Sequence, residues 1–180
     1  MKKSIWLLAK ITPIVTLVLL CFTFGCQQPV EEAITEEEAK ALFDLYMEIY
    51  NEVNLALADE ILAPEFVLKT PVLPEGIVGI EAVKAFVKDT ATMFPDFRCT
   101  IEEIFVKGDK IISRFTITGT NAGPLGELPP TGKKFRISSA MAITRVANGK
   151  IVEDETFWNV LDLYQQLGFT LTPPQVEEPQ

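Results

Sequence analysis

Histidine is missing altogether from this chain of 180 residues. Ser-His-Asp triads, Cys-His dyads, histidine-containing zinc sites and a histidine general base all require an imidazole, so the sequence excludes them. Acid–base chemistry must therefore use carboxylates, lysine, tyrosine or cysteine. The sequence also has no cysteine pair with metal-ligand spacing, no glycine-rich phosphate loop and no nucleophile elbow. We therefore expect neither a metal nor a cofactor.

Basic residues are scarce. The chain has 16 lysines and arginines against 25 aspartates and glutamates, which gives a net charge of −9 and a sequence pI near 4.6. Nucleic-acid binding depends on clustered basic side chains that neutralise phosphates. The charge balance therefore argues against a nucleic-acid partner and favours a small-molecule or protein partner.

A long hydrophobic run is also lacking. An apolar stretch from Ile5 to Gly25 follows two lysines, but Lys10 and Pro13 interrupt it. The uninterrupted part, residues 14–25, is shorter than the roughly 20 residues that a membrane-spanning helix needs. The layout is typical of a signal peptide over residues 1–25. Removing these residues would take away three lysines and no acidic residue, leaving a net charge of −12.

The residue after this segment is Cys26, and residues 23–26 resemble a bacterial lipobox, in which the cysteine is acylated and becomes the mature N-terminus. The match lacks the usual leucine three residues before the cysteine. An uncleaved N-terminal anchor and plain secretion are the alternatives. We expect a lipid-anchored, extracytoplasmic protein whose contact with the bacterial membrane is the acyl chain, because an acidic domain repels anionic lipid.

The remaining chain divides into a tether (26–34), one domain (35–170) and a polar tail (171–180) that we predict to be disordered. Thr35 and Glu38 form a capping-box pattern, and apolar residues at helical spacing follow as far as Val53. Further helices are predicted over residues 56–62, 79–94 and 161–167.

From Arg98 onward the hydrophobic period changes to two, which indicates strands. Four long strands are predicted over residues 98–107, 110–120, 133–146 and 150–159, with a long Gly- and Pro-rich loop over residues 121–132. Helices followed by an antiparallel meander indicate an α+β fold, with the N-terminal helices packed on one face of a strongly curved, mostly antiparallel sheet. Such a curved sheet leaves a pocket.

Polar residues on these strands are the candidates for function. On the last strand, Glu155 shares one face with Phe157 and Asn159, whereas Asp154 and Thr156 share the other. Charged residues on a strand are more often a solvated face than a catalytic cluster. Lys69 and Arg114 have the same two interpretations, surface residue or pocket cation, and Cys99 is more typical of a core thiol.

Six short motifs, in order and with compatible spacing, resemble the SnoaL-like polyketide cyclase (ester cyclase) family over about residues 38–170. They are Phe94-Pro95-Asp96, Gly108-Asp109 with Arg114, Gly119-Thr120, Pro130 to Lys133, Gly149 to Glu153, and Gln166-Leu167-Gly168. The resemblance implies the cone-shaped fold of the nuclear-transport-factor-2-like superfamily, an apolar pocket and a homodimer. In characterised members it also implies a cofactor-free aldol cyclisation, with an aspartate on the last strand as the acid–base residue.

At the positions that match the family's motifs, polar residues differ from the pattern. The family's aspartate corresponds to Asn159, its histidines to Lys69 and Asn121, and its tryptophan to Glu155. An asparagine cannot accept a proton near neutral pH, so the family mechanism cannot run through Asn159.

Three functional hypotheses follow. The first is a module that binds a small hydrophobic molecule without turning it over. Its polar contacts would come from Lys69, Arg114, Asn121, Glu155 and Asn159, and Phe157 would also line the pocket. The second is a cofactor-free cyclase, isomerase or hydrolase with Glu155 as acid or base. The third is a structural or assembly role for the sheet face, which a domain without a pocket would favour.

Overall fold

A computed structural model describes residues 34–170 and residue 172. The predicted signal peptide, Cys26, residues 26–33 of the tether and all of the tail except residue 172 lie outside the described residues. Within the described part of the chain, no helix is both long enough and apolar enough to cross a membrane.

Four helices occur among residues 34–170: α1 (Glu36–Asn51), α2 (Ala56–Ile61), α3 (Ile80–Met93) and α4 (Val160–Leu167). The predicted capping box is confirmed, because Thr35 accepts from the Glu38 N–H while the Glu38 carboxylate accepts from the Thr35 N–H. The buried face of α1 places Phe43 and Tyr46 in the core. The amphipathic spacing of the sequence therefore set both the position and the orientation of this helix.

In the part of the chain that the structure describes, the sheet has six strands in the order β2-β1-β6-β5-β4-β3. They are β1 (Leu62–Thr70), β2 (Leu73–Val78), β3 (Arg98–Lys107), β4 (Lys110–Thr120), β5 (Lys134–Ala147) and β6 (Lys150–Phe157). Every pairing is antiparallel except that of β1 with β6. The α+β fold with a mostly antiparallel sheet is confirmed.

Two details of the strand prediction are corrected. The sequence pattern showed four strands in a meander, whereas the sheet also contains the β1–β2 hairpin, and β1 continues through Pro64. The last strand ends at Phe157 instead of residue 159, because Asn159 already caps α4, its side chain accepting from the Asp162 N–H at 3.2 Å.

All five ladders of the sheet contain a register irregularity. Such irregularities bend and twist strands locally. The irregularity between β5 and β6 can be located at one residue. Val146 pairs with Ile151 and Arg145 pairs with Glu153, so Val152 is an extra residue on β6. Beyond Val152 the inward face of β6 therefore passes from odd-numbered to even-numbered residues.

Candidate functional site

A cavity of about 550 Å³ lies between the inner face of the sheet and helices α1, α3 and α4. We call it the inner cavity. Its wall is dominated by aromatic side chains: Phe43, Tyr46, Tyr50, Phe86, Phe94, Phe97, Phe115, Phe135, Trp158 and Tyr164. Cavities of 300–1,000 Å³ with apolar walls and few polar groups are typical of small-molecule sites.

Among the described residues that line the inner cavity, Asp154 is the one with a charged side chain. It is 2% exposed, and its carboxylate accepts hydrogen bonds from Thr144 and, at 2.8 Å, from Thr156. Burial raises the pKa of Asp154 from 3.8 to about 6, and the two threonine hydroxyls oppose that shift by stabilising the charged form. A carboxyl with a pKa near 6 can both lose and take up a proton close to neutral pH.

Two tyrosines of α1 add hydroxyls to the same cavity. Tyr46 and Tyr50 are one helical turn apart, and their hydroxyl oxygens lie 3.3 Å from each other. Burial, followed by the charge of Asp154, raises the pKa of Tyr46 well above its usual value, and burial likewise raises that of Tyr50. Both phenols therefore stay protonated, and the one that does not donate to its neighbour can donate a hydrogen bond to a ligand.

The cavity also contains a thiol. Cys99 lines the wall at 8% exposure, and burial raises its pKa to about 12. A thiol that stays protonated is a poor nucleophile, which agrees with the sequence-based interpretation of Cys99 as a core thiol.

The sequence-predicted site residues lie elsewhere. Lys69 binds Glu153 at 3.4 Å, and Arg114 binds Glu103 at 3.1 Å and also Glu102; both basic side chains are more than a third exposed. Glu155 lies opposite Ile143 on the outer face of the sheet. Neither Lys69, Arg114 nor Glu155 lines the inner cavity.

Phe157 is 47% exposed and lies, with Asn159, in a shallow groove on the outer face that includes Met141 and Ile143. Both residues are therefore on the opposite side of the sheet from the inner cavity. The assignment of cavity contacts is corrected accordingly, since the extra residue at Val152 places Asp154, and not Glu155, on the inner face.

Asn121 is fully buried but serves the chain itself. Its Nδ2 donates to the Gly123 carbonyl at 2.7 Å, and its Oδ1 accepts from the Thr131 N–H and hydroxyl at 2.9 and 3.0 Å. These bonds close the base of the β4–β5 loop, whose residues Leu125 and Gly126 line the inner cavity. Asn121 therefore shapes one wall of the cavity without contacting its interior.

Comparison with known families identifies the chain. The family model described as SnoaL-like polyketide cyclase matches residues 40–167, well over half of the sequence. The chain belongs to the SnoaL-like polyketide cyclase family. No curated protein matches the sequence.

Solved structures agree with this membership. TsrD from Streptomyces laurentii is 27% identical with a TM-score of 0.67, over 75% of this chain and 98% of TsrD. IdmH from Streptomyces antibioticus is 27% identical with a TM-score of 0.63, over 72% of this chain and 98% of IdmH. An NTF2-like protein of unknown function from Burkholderia pseudomallei shares the fold at 17% identity and a TM-score of 0.62, over 73% and 98% of the two chains.

Proposed function

We propose that this member of the family binds a small, largely apolar molecule in the inner cavity. The observation that carries the proposal is the cavity itself, which is large enough for a drug-sized ligand and has a single charged side chain among its described lining residues. Its ten aromatic side chains favour a flat ring system, and the polyketide chemistry of the family points to the same ligand class. The presence of a cavity argues against the purely structural role.

Filling the cavity should weaken ligand binding. Ala142 is 2% exposed and lines the inner cavity, so Ala142→Phe would project a ring into the space for the ligand. We expect the affinity for 2-naphthol, a flat neutral probe, to fall at least about tenfold. Isothermal titration calorimetry on the full-length protein in phospholipid nanodiscs, with empty discs as the blank, would measure this.

Met141→Phe is the matched control, because Met141 neighbours Ala142 on β5 but lies 45% exposed on the outer face. It should leave binding unchanged. Ala142→Leu, a smaller addition, guards against misfolding of the phenylalanine variant. Equal binding by both Ala142 variants, with wild-type thermal unfolding, would refute occupation of this cavity.

A second candidate function is cofactor-free proton transfer, with Asp154 instead of Glu155 as the acid–base residue. The specific observation in its favour is a carboxyl of pKa about 6 in the cavity wall, with the two α1 tyrosines lining the same space. A carbonyl ligand could lose an adjacent proton to Asp154 while a phenol donates to the developing oxyanion. Under this hypothesis, the acid–base residue is Asp154 of β6 and not the residue at position 159.

We further infer an extracytoplasmic, lipid-anchored protein, supported by the signal-like segment and the lipobox-like residues 23–26. Cells expressing the full-length chain should incorporate labelled palmitate, and Cys26→Ser should eliminate that label. Cys99→Ser is the control, because Cys99 is a buried residue of the domain. Retained label in the Cys26 variant would contradict lipidation at this residue.

The homodimer implied by family membership stays a prediction. Apolar side chains that are 41–60% exposed lie on the outer face of the sheet, namely Phe105, Met141, Ile143 and Phe157. Charges of both signs, including the Arg114–Glu103 and Arg145–Glu153 pairs, flank them. A face that carries both signs is compatible with pairing to a second copy of itself.

A further inference from the structure

Thr70 carries a hydroxyl of the inner cavity that has no hydrogen-bond partner among the described residues. Thr90 donates to the Phe86 carbonyl of its own helix at 2.8 Å, and Thr156 donates to Asp154. Thr70 also lines the cavity, but its hydroxyl oxygen is buried and has no hydrogen-bond partner among the described residues. Buried polar groups in folded proteins are nearly always paired, so an unpaired one calls for an explanation.

Thr70 is well placed to contact a ligand. It is the last residue of β1, and both Thr70 and Leu68, two positions earlier, line the inner cavity. Leu68 is directly beside Asp154 in the parallel β1–β6 ladder. One strand spacing and two residues of rise place Thr70 about 8 Å from Asp154, measured along the sheet between backbone positions.

We propose that Thr70 is a specificity-determining residue, whose hydroxyl hydrogen-bonds an oxygen function of the ligand. Resting on the proposed ligand-binding function, this inference narrows the ligand class. The ligand is a flat, apolar molecule with two oxygen functions, hydroxyl or carbonyl, at opposite ends. One end reaches Asp154 and the other reaches Thr70. An analogue without the second oxygen leaves the threonine hydroxyl unpaired and binds more weakly.

Two matched probes test this. 2-Naphthol has one hydroxyl, and the naphthalene diol with hydroxyls at the opposite ends of the ring system has two. Wild-type protein in nanodiscs should bind the diol more tightly. Thr70→Val keeps the shape of the side chain and removes the hydroxyl, so it should weaken diol binding about 3- to 10-fold while leaving 2-naphthol unchanged. Thr70→Ser should restore the preference for the diol.

Thr90→Val is the control, because it makes the same substitution in the same cavity at a hydroxyl that already has a partner. It should not change the ratio of the two affinities. If wild-type protein binds both probes and Thr70→Val lowers both affinities equally, or neither, the role of Thr70 is refuted while ligand binding stands. If wild-type protein binds neither probe, the proposed function fails together with this inference.

Discussion

Replacing Asp154 with asparagine should stabilise the protein at pH 8, by up to about 3 kcal/mol in the free energy of unfolding. The reason is that the native state buries a carboxylate whose pKa is about 6, against 3.8 as the ordinary value. Above pH 6 the side chain is ionised in both states, and its charge is disfavoured only in the folded one. Asparagine resembles the neutral acid and avoids that desolvation.

The pH dependence has a definite sign. The folded protein holds the Asp154 proton more tightly than the unfolded chain, so this group's contribution to stability decreases as the pH rises from about 4 to about 6. The advantage of Asp154→Asn should therefore be largest at pH 8 and vanish near pH 4. The difference in unfolding free energy between the variant and the wild type cancels the contributions of other titratable groups. One such group is Glu102, whose pKa is lowered by the Thr116 hydroxyl and whose pH trend is therefore the opposite.

Urea unfolding at a series of pH values, followed by the fluorescence of Trp158 in the cavity wall, measures this difference. Glu155→Gln is the matched control, because it neutralises the next residue of the same strand on the outer face; it should change stability by no more than about 0.5 kcal/mol. A difference between Asp154→Asn and wild type that does not vary with pH would contradict burial of an ionisable carboxyl at this position.

The same pair of variants separates catalysis from binding. If Asp154 transfers protons, the protein should accelerate deuterium exchange at the acidic C–H of a bicyclic ketone such as 2-tetralone, with a rate that rises through about pH 6. Asp154→Asn should then lower the exchange rate roughly 100-fold or more. Glu155→Gln should leave that rate unchanged. Nuclear magnetic resonance of the ketone follows the exchange. No acceleration by wild-type protein that binds the ketone would leave the binding module as the function.

A residue kept at the expense of stability is a mark of a functional site. Asp154 fits that description, because a neutral side chain would be easier to bury in an aromatic cavity. Glu155, Lys69 and Arg114 do not, since each is at least partly exposed and the two cations have acidic partners. The stability and exchange experiments therefore test the same idea from two directions.

Much of the fold was predictable because it is encoded locally. Helix α1 begins where the capping box predicts, and β3 and β4 have the predicted bounds, since alternation and a Gly-Asp turn are short-range signals. The parallel pairing of β1 with β6 was not predictable, because it joins residues more than 80 positions apart. The strand β1 was also obscured by Pro64, a residue that usually interrupts regular structure.

The candidate site was harder to predict for a related reason. Strict alternation from the buried Ile151 places Glu153 and Glu155 inside, yet the extra residue at Val152 reverses the faces and brings Asp154 inside. A one-residue irregularity has no reliable sequence signal, although it exchanges every side chain beyond it between core and solvent. The family resemblance pointed to Asn159, and not to Asp154, as the acid–base position, yet Asn159 caps a helix in the structure.

The largest loss of stability is expected from Asn121→Ala. Asn121 is fully buried and makes three side-chain hydrogen bonds across the base of the β4–β5 loop. Alanine would remove these bonds and leave the Gly123 carbonyl and the Thr131 N–H without side-chain partners, at a cost of about 3 kcal/mol. Because Leu125 and Gly126 of that loop line the inner cavity, the variant should also release a bound probe faster.

Asn159→Ala provides a matched control, since the same substitution there removes one exposed helix cap and should cost only about 1 kcal/mol. Urea unfolding measures both costs, and stopped-flow displacement of 2-naphthol measures its release. If Asn121 contacted the ligand directly, Asn121→Ala would weaken binding while leaving unfolding close to wild type. A large loss of stability combined with faster release would instead establish Asn121 as the residue that holds the loop over the cavity.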